Sequence, residues 1–361
     1  MKRIFNFNAG PSTLALAVLE KAQQEFVDYQ GKGMSILEMS HRSPEYSEVH
    51  EQAISLVKEL LELPENYTVL YLGGGATLQF SMIPLNLLTK NTSCDFTLTG
   101  TWAKKALADA EKVGHVNVVF DGSENNFTRL PDPAELQLDR QSAYLHLTSN
   151  ETIEGLQWQT WPDAGNVPIV CDMSSDIMSR RLPIEKFGLI YAGAQKNLGP
   201  AGVTLVIIRD DVLDACATDL TAYLSYHIHV KKNSMYNTPP VFAIYIIKLV
   251  LEGLKQMGGI LAAEKLCEQR SSLLYSTINQ SAEFYRCPVP GFCRSKMNVV
   301  FRLPSEDLEK TFIAEAAQQG MGGLKGHRSV GGCRASIYNS MPIEGVKALT
   351  DFMQDFAARH A

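Results

Sequence analysis

YAGAQKNLGPAGVTLVIIRD, residues 191–210, decides the fold. An apolar run, Leu189 to Gly193, leads into Ala194-Gln195-Lys196; a Gly199-Pro200 turn follows, and a second apolar run spans Val203 to Ile208. Neither run alternates apolar with polar residues as a half-exposed strand does, so both read as strands buried on two faces. Similar runs occur at Thr68 to Leu72, Ala143 to Leu147 and Val167 to Cys171, and Ala76 to Leu88 reads as a helix. Strands alternating with helices predict the α/β class, with a large, mainly parallel sheet covered by helices.

After Val241 the pattern changes. Helical periodicity runs to about Ser276, then Met297 to Arg302 and Ala335 to Tyr338 read as strands, and Thr311 to Gln319 and Ile343 to Ala358 as helices. This predicts a smaller α+β C-terminal domain joined through a long helix near residue 260. A chain of 361 residues also exceeds what one core usually holds. The expected division is 16–259 for the large domain, with 1–15 and 260–361 forming the small one.

Composition narrows the function. Lys+Arg 33 against Asp+Glu 39 leaves a formal charge of −6 and no basic run, so the electrostatic footprint of a nucleic-acid binder is missing. The most apolar window, Val241 to Leu251, is interrupted by Lys248 and is too short to span a bilayer. Seven cysteines, odd in number and without a CxxC pair, fit reduced thiols and a cytoplasmic location better than disulfides or zinc. His227 and His229 have strand spacing but no third ligand nearby, so no metal site is expected. The remaining partners are small molecules or another subunit.

The chemistry-bearing residues converge on one cofactor. Lys196 and Asp172 both follow strand ends, where open α/β sheets hold ligands. An amine there can bond to the aldehyde of pyridoxal phosphate, while a carboxylate keeps the pyridine nitrogen protonated. Gly73-Gly74-Gly75-Ala76-Thr77 lies between a strand and a helix, so its amides and the Thr77 hydroxyl could cradle a phosphate. Asn237-Thr238-Pro239-Pro240 precedes another helix, with Thr238 as its cap and Pro239 as first helical residue. Trp102 follows the strand-like Phe96-Thr97-Leu98 and could stack on a planar ring. His327, Arg328 and Arg334 share a glycine-rich loop, and His41-Arg42 supplies a second cationic pair suited to carboxylate or phosphate oxygens. Taken singly, each has a plainer reading: a solvated amine, a cap, an empty glycine turn, a core aromatic, surface arginines.

Together, FNFNAGPS from Phe5, MSHRSPEY from Met39, LGGGATLQF from Leu72, TGTWAKKA from Thr99, SNETIEG from Ser149, CDMSSD from Cys171, YAGAQKNLGPAG from Tyr191, SMYNTPP from Ser234 and GHRSVGGCRASIYNSMP from Gly326 run nearly end to end. In them the chain resembles the phosphoserine aminotransferases, in the class V branch of fold-type I pyridoxal-phosphate enzymes. The resemblance implies Lys196 as the covalent anchor, Asp172 as partner of the ring nitrogen and Trp102 as the stacked aromatic. Thr152 and Gln195 would be further ring contacts. It also implies Ala76 and Thr77 as the phosphate turn, completed by Asn237 and Thr238 from a second subunit, hence a homodimer with shared sites. His41 and Arg42 of that second subunit, with His327 and Arg328, would hold a distal phosphate or carboxylate, and Arg334 the α-carboxylate.

The implied reaction passes an amino group from glutamate to 3-phosphohydroxypyruvate, giving 2-oxoglutarate and phosphoserine. A second acceptor, 3-hydroxy-2-oxo-4-phosphonooxybutanoate, serves pyridoxine synthesis in some members. Ala9 stands where the family often has serine, which removes a side-chain contact to substrate. The alternatives are a serine–glyoxylate-type aminotransferase, a cysteine desulfurase using Cys333, and a non-catalytic binder of phosphate ligands.

Overall fold

The computed structural model describes residues 3–360; the outermost positions of the expected small domain, 1–2 and 361, lie outside them. In chain order the first elements are β1 (Phe5–Asn6), α1 (Leu16–Gln24), α2 (Pro44–Leu60), β2 (Tyr67–Leu72), α3 (Gly75–Leu87), β3 (Ser93–Leu98), α4 (Thr101–Ala110) and β4 (His115–Asp121). Then come β5 (Leu145–Thr148), the short pair β6 (Asn150–Glu151) and β7 (Leu156–Gln157), β8 (Ile169–Asp172), β9 (Phe187–Gly193) and β10 (Thr204–Arg209). The rest are α5 (Asp210–Asp214), α6 (Tyr226–Lys231), α7 (Val241–Gln256), α8 (Gly259–Gln280), β11 (Asn298–Phe301), α9 (Glu306–Gln318), β12 (Met321–Gly322), β13 (Cys333–Ser336) and α10 (Ile343–His360).

Seven strands form the main sheet in the order β2-β10-β9-β8-β5-β3-β4. β3, β4, β5, β8 and β9 pair in parallel. Only β10 runs antiparallel, to both β2 and β9, which leaves β2 pointing the same way as β9. All seven residues of β9 are buried, because the sheet carries a core on each face. Tyr71, Leu145, Leu147, Cys171, Ile190, Ala192 and Leu205 join the layer that includes α2 and α7. Their neighbours along the strands, Leu70, Leu72, Tyr144, Val170, Leu189, Tyr191 and Val206, join the layer that includes α3 and α4. Each fully buried aliphatic side chain is worth about 1.5–3 kcal/mol, which favours apolar residues on both faces; β3 and β5 depart from this by burying Asp95, Thr97, His146 and Thr148.

One consequence positions the site. The loops after β2, β3, β5, β8 and β9 leave the sheet at the same edge, the carboxyl end of the parallel strands. At or just beyond these strand ends lie Gly73 to Gly75, Trp102, Thr152, Asp172 and Lys196.

The helical stretch after Val241 is two helices rather than one long one. Gly258 and Gly259, at φ 111° and 69°, adopt left-handed backbone that L side chains avoid, and the chain turns there. Beyond α8, β11 pairs with β13. Phe301, Phe312, Phe352, Phe356 and Tyr285 form an aromatic core under α9 and α10 that also takes in Phe7. β1 joins this unit by parallel pairing with β12. Helix α9 starts before the expected Thr311, because Ser305 Oγ accepts the Leu308 N–H at 3.2 Å and caps it.

Candidate active site

Lys196 sits two residues beyond Ala194, in a turn closed by Gly199 N–H donating to Ala194 O at 2.7 Å. Its backbone is clamped by the N-terminal segment: Ser12 donates through its amide to Gln195 O at 2.9 Å and through its hydroxyl to Lys196 O at 2.6 Å. Among the described residues the ammonium has one hydrogen-bond partner, Thr152 Oγ1, at 2.7 Å. It lies 5.7 Å from the centre of the Trp102 ring. Burial lowers its pKa from 10.5 to about 8, against the attraction of Asp172 and with the help of the Arg334 cation. A lysine so placed is not a solubilising charge.

Asp172 ends β8 and is buried. One carboxylate oxygen accepts the Ser174 N–H at 2.8 Å. Burial pushes its carboxyl above the ordinary range, while the Ser174 contacts and the Lys196 charge pull it back. Its main chain is fixed from behind, where the Ser149 N–H donates to Asp172 O at 2.9 Å while Ser149 Oγ donates to Asp176 Oδ1. Asp176 in turn accepts from Gln157 Nε2 at 3.0 Å and Arg180 Nη2 at 3.1 Å.

Pyridoxal phosphate fits this arrangement. Among the described residues Trp102 Nε1 is buried without a partner and the second oxygen of Asp172 makes no hydrogen bond, and the Asp172 charge acts on the Lys196 amine. Helix α3 begins at Gly75 with no side-chain cap and no acidic residue in its first turn, so its leading amides are free for an anion. Gly74 is required there: at φ 84° an added Cβ would meet Leu78 Cβ at 2.5 Å. Ala76 is half-buried and Thr77 exposed at this turn. The Gln195 side chain folds back over Gly193, where an added Cβ would lie 2.7 Å from its Oε1.

The 151–154 turn is a hub that sequence reading used only for Thr152. Arg334, on β13, donates through Nη1 to Thr152 O at 3.1 Å, while its Nε is buried and unpartnered. Glu151 and Glu154 are buried carboxylates whose bonds run to the start of α4, beside Trp102. The signal that could have found them is negative: α4 begins after Gly100 with neither a capping side chain nor an acid in its first turn.

The other candidates lie toward the surface. His327 bonds Ser329 Oγ at 2.7 Å, and its pKa is lowered by burial and by Arg334, Arg328 and Lys105. With Glu154 and Arg334 it lines a cavity of about 340 Å³ that Lys196 does not reach. Neither Asp172 nor Trp102 lines it. Arg328 and Arg42 are exposed and His41 is half-buried.

Asn237 and Thr238 are exposed, and the only hydrogen bond between them runs from Asn237 Nδ2 to Thr238 O at 3.2 Å. Thr238 does not cap α7, which starts at Val241 with Pro240 at the cap position, because two prolines delay the first turn. His227 and His229 are on helix α6, not a strand. Two-residue spacing there separates the rings, and each bonds a different carbonyl, Cys216 O and Tyr223 O.

Comparison with known proteins gives one consistent answer. Residues 4–349 match the aminotransferase class-V family. The chain is 51% identical over 361 residues to phosphoserine aminotransferase of Geobacillus kaustophilus, covering 100% of both chains. The solved phosphoserine aminotransferase of Bacillus circulans subsp. alkalophilus is 50% identical, with a TM-score of 0.98 and 100% of each chain covered. The PLP-bound phosphoserine aminotransferase of Trichomonas vaginalis is 37% identical, with a TM-score of 0.93, covering 98% of this chain and 100% of the other.

Proposed function

The chain belongs to the class-V aminotransferase family, and from this premise we propose that it moves an amino group between glutamate and 3-phosphohydroxypyruvate, forming O-phosphoserine for serine synthesis. The observation that carries the reading is the half-buried Lys196 amine, bonded to Thr152, facing Trp102 and within the field of Asp172. When bound, pyridoxal 5'-phosphate supplies an aldehyde for amine exchange and a cationic ring that withdraws electrons from the substrate α-carbon.

The chain's own residues do the rest. Trp102 would stack on the ring, with Thr152 and Gln195 at its edge, and Asp172 would hold a proton on the ring nitrogen. Ala76 and Thr77, at the start of α3, would bind the phosphate, joined by Asn237 and Thr238 of a second copy. With the cofactor bound, Lys196 Nζ would be the group that takes the proton from the substrate α-carbon and returns it. Arg334 would anchor the α-carboxylate. His327 and Arg328, with His41 and Arg42 of the second copy, would hold the distal carboxylate or phosphate, so one cation set serves both substrates.

A homodimer is part of this proposal. Leu16, Leu19, Phe26, Val27, Met34 and Leu37 are exposed apolar side chains in the segment leading to His41, which suits a face covered by a second copy. So is a cytoplasmic location, for which all seven cysteines are free. So too is the division into a large domain, 16–259, and a small one formed by 1–15 and 260–361, supported by the separate aromatic core. Desulfurase chemistry is disfavoured because Cys333 is buried in β13 with its thiol pushed up by burial.

The test is direct. Purified protein with cofactor should show a visible absorbance band that shifts on adding glutamate, and should form phosphoserine from 3-phosphohydroxypyruvate. Spectral silence at saturating cofactor would reject the reading.

A further inference from the structure

The start of helix α4 has an unusual cap. Gly100 at the cap position offers no side chain, and the first three amides of α4 would be orphans. Two acids from a segment about fifty residues later satisfy them. Glu154 Oε1 accepts the Thr101 N–H at 3.0 Å and the Thr101 hydroxyl at 2.6 Å. Glu151 Oε2 accepts the Trp102 N–H at 3.3 Å, and Glu151 Oε1 accepts the Ala103 N–H at 3.2 Å and the Thr99 hydroxyl at 3.0 Å. Gly100 is glycine for lack of room: an added Cβ would stand 2.5 Å from the Glu151 carboxylate carbon.

Burying two carboxylates side by side is costly, and burial pushes both carboxyls up, that of Glu151 further because of Glu154 beside it. Helix-start amides and the dipole offset that cost. The same turn gives Thr152 Oγ1 to Lys196 and Thr152 O to Arg334. One four-residue turn thus touches the stacking aromatic, the reactive amine and the carboxylate anchor.

We propose that Glu151 and Glu154 are positioning residues that set the Trp102 ring over the cofactor site by capping α4 from the 151–154 turn. The inference rests on the aminotransferase reading above. The two acids act through the first turn of α4, which carries Trp102.

The test uses the apoenzyme and pyridoxine 5'-phosphate, a cofactor analogue that has the ring and phosphate but no aldehyde, with affinity read by calorimetry. Loss of a stacked aromatic contact is worth about two- to tenfold in affinity, so Trp102→Ala, Glu151→Ala and Gly100→Ala should each weaken binding by that order. The double variant Glu151→Ala/Trp102→Ala should bind no worse than Trp102→Ala alone. Glu151→Gln, which keeps one acceptor and the side-chain volume, should fall between parent and Glu151→Ala, and it covers the case in which the alanine variant does not fold. In the holoenzyme, Glu151→Ala should lower kcat by about 10- to 100-fold while the acceptor's KM changes much less.

Additive losses in the double variant, parent-like affinity in Glu151→Gln and Gly100→Ala, or a rise in KM at constant kcat would each overturn the positioning role. Failure of the parent apoenzyme to bind the analogue at all would overturn the aminotransferase reading instead, and this inference with it.

Discussion

The site has two halves built to different standards. Around Lys196, one chain supplies everything: a hydrogen bond to Thr152, a facing indole, a buried carboxylate and a backbone pinned by Ser12. Around the anion groups the same chain stops short, with Arg42, Arg328, Asn237 and Thr238 exposed. Preorganised, dry surroundings perturb a pKa and set up bond-making. Wet arginines can only steer until something closes over them. On the proposed reading, the contrast divides the work: chemistry falls to one chain and anion recognition to an assembly of two.

The largest effect should come from the first half. Lys196→Ala should cut kcat by about 10⁴-fold or more, since it removes both the covalent anchor and the proton carrier; a steady-state assay with glutamate and 3-phosphohydroxypyruvate measures it. The second half yields to complementation. If His41 and Arg42 reach into the other subunit's site, mixing Lys196→Ala chains with His41→Ala/Arg42→Ala chains should restore roughly a quarter of parent activity. That figure follows because half the dimers are mixed and each mixed dimer keeps one intact site of two. No recovery after verified subunit exchange would mean each chain completes its own site.

A smaller effect separates the two substrate ends. Arg328→Ala should raise KM for the phosphorylated acceptor by about 10- to 100-fold, the worth of a charged hydrogen bond, and leave pyruvate nearly unchanged. Equal losses would remove the distal-anion role.

The subtlest effect is the Lys196 titration. Its pKa is lowered from 10.5 to about 8, so the neutral amine grows as pH rises through 8. Reductive methylation of apoenzyme, followed at Lys196 by peptide mass spectrometry, should therefore have its midpoint near 8; a midpoint near 10.5 would deny the burial. The linkage has a definite sign: between 8 and 10.5 the unfolded chain holds the proton and the folded one does not, so this group makes stability rise with pH in that window.

The sheet was legible because most of its buried strands are apolar on both faces, and the runs ending at Leu72, Cys171, Gly193 and Ile208 fall within a residue of the observed ends. The antiparallel direction of β10 was not, since strand direction depends on connections rather than on residue type. The break between α7 and α8 was written in the Gly258-Gly259 pair but hidden by apolar periodicity on both sides. That Lys196, Asp172, Thr152 and Trp102 lie together could be read because each follows a strand end or sits in a distinctive motif. Glu151 and Glu154 could not: a cap supplied from about fifty residues away leaves only a gap, a helix start with no acid of its own. His227 and His229 misled because two-residue spacing carries no record of whether the backbone is strand or helix.

The central claim is that Lys196 alone holds the cofactor covalently. Borohydride reduction of the holoenzyme, proteolysis and mass spectrometry should place a phosphopyridoxyl label on the peptide containing Lys196 and on no other lysine. A label elsewhere, or none despite saturating cofactor, would contradict the account.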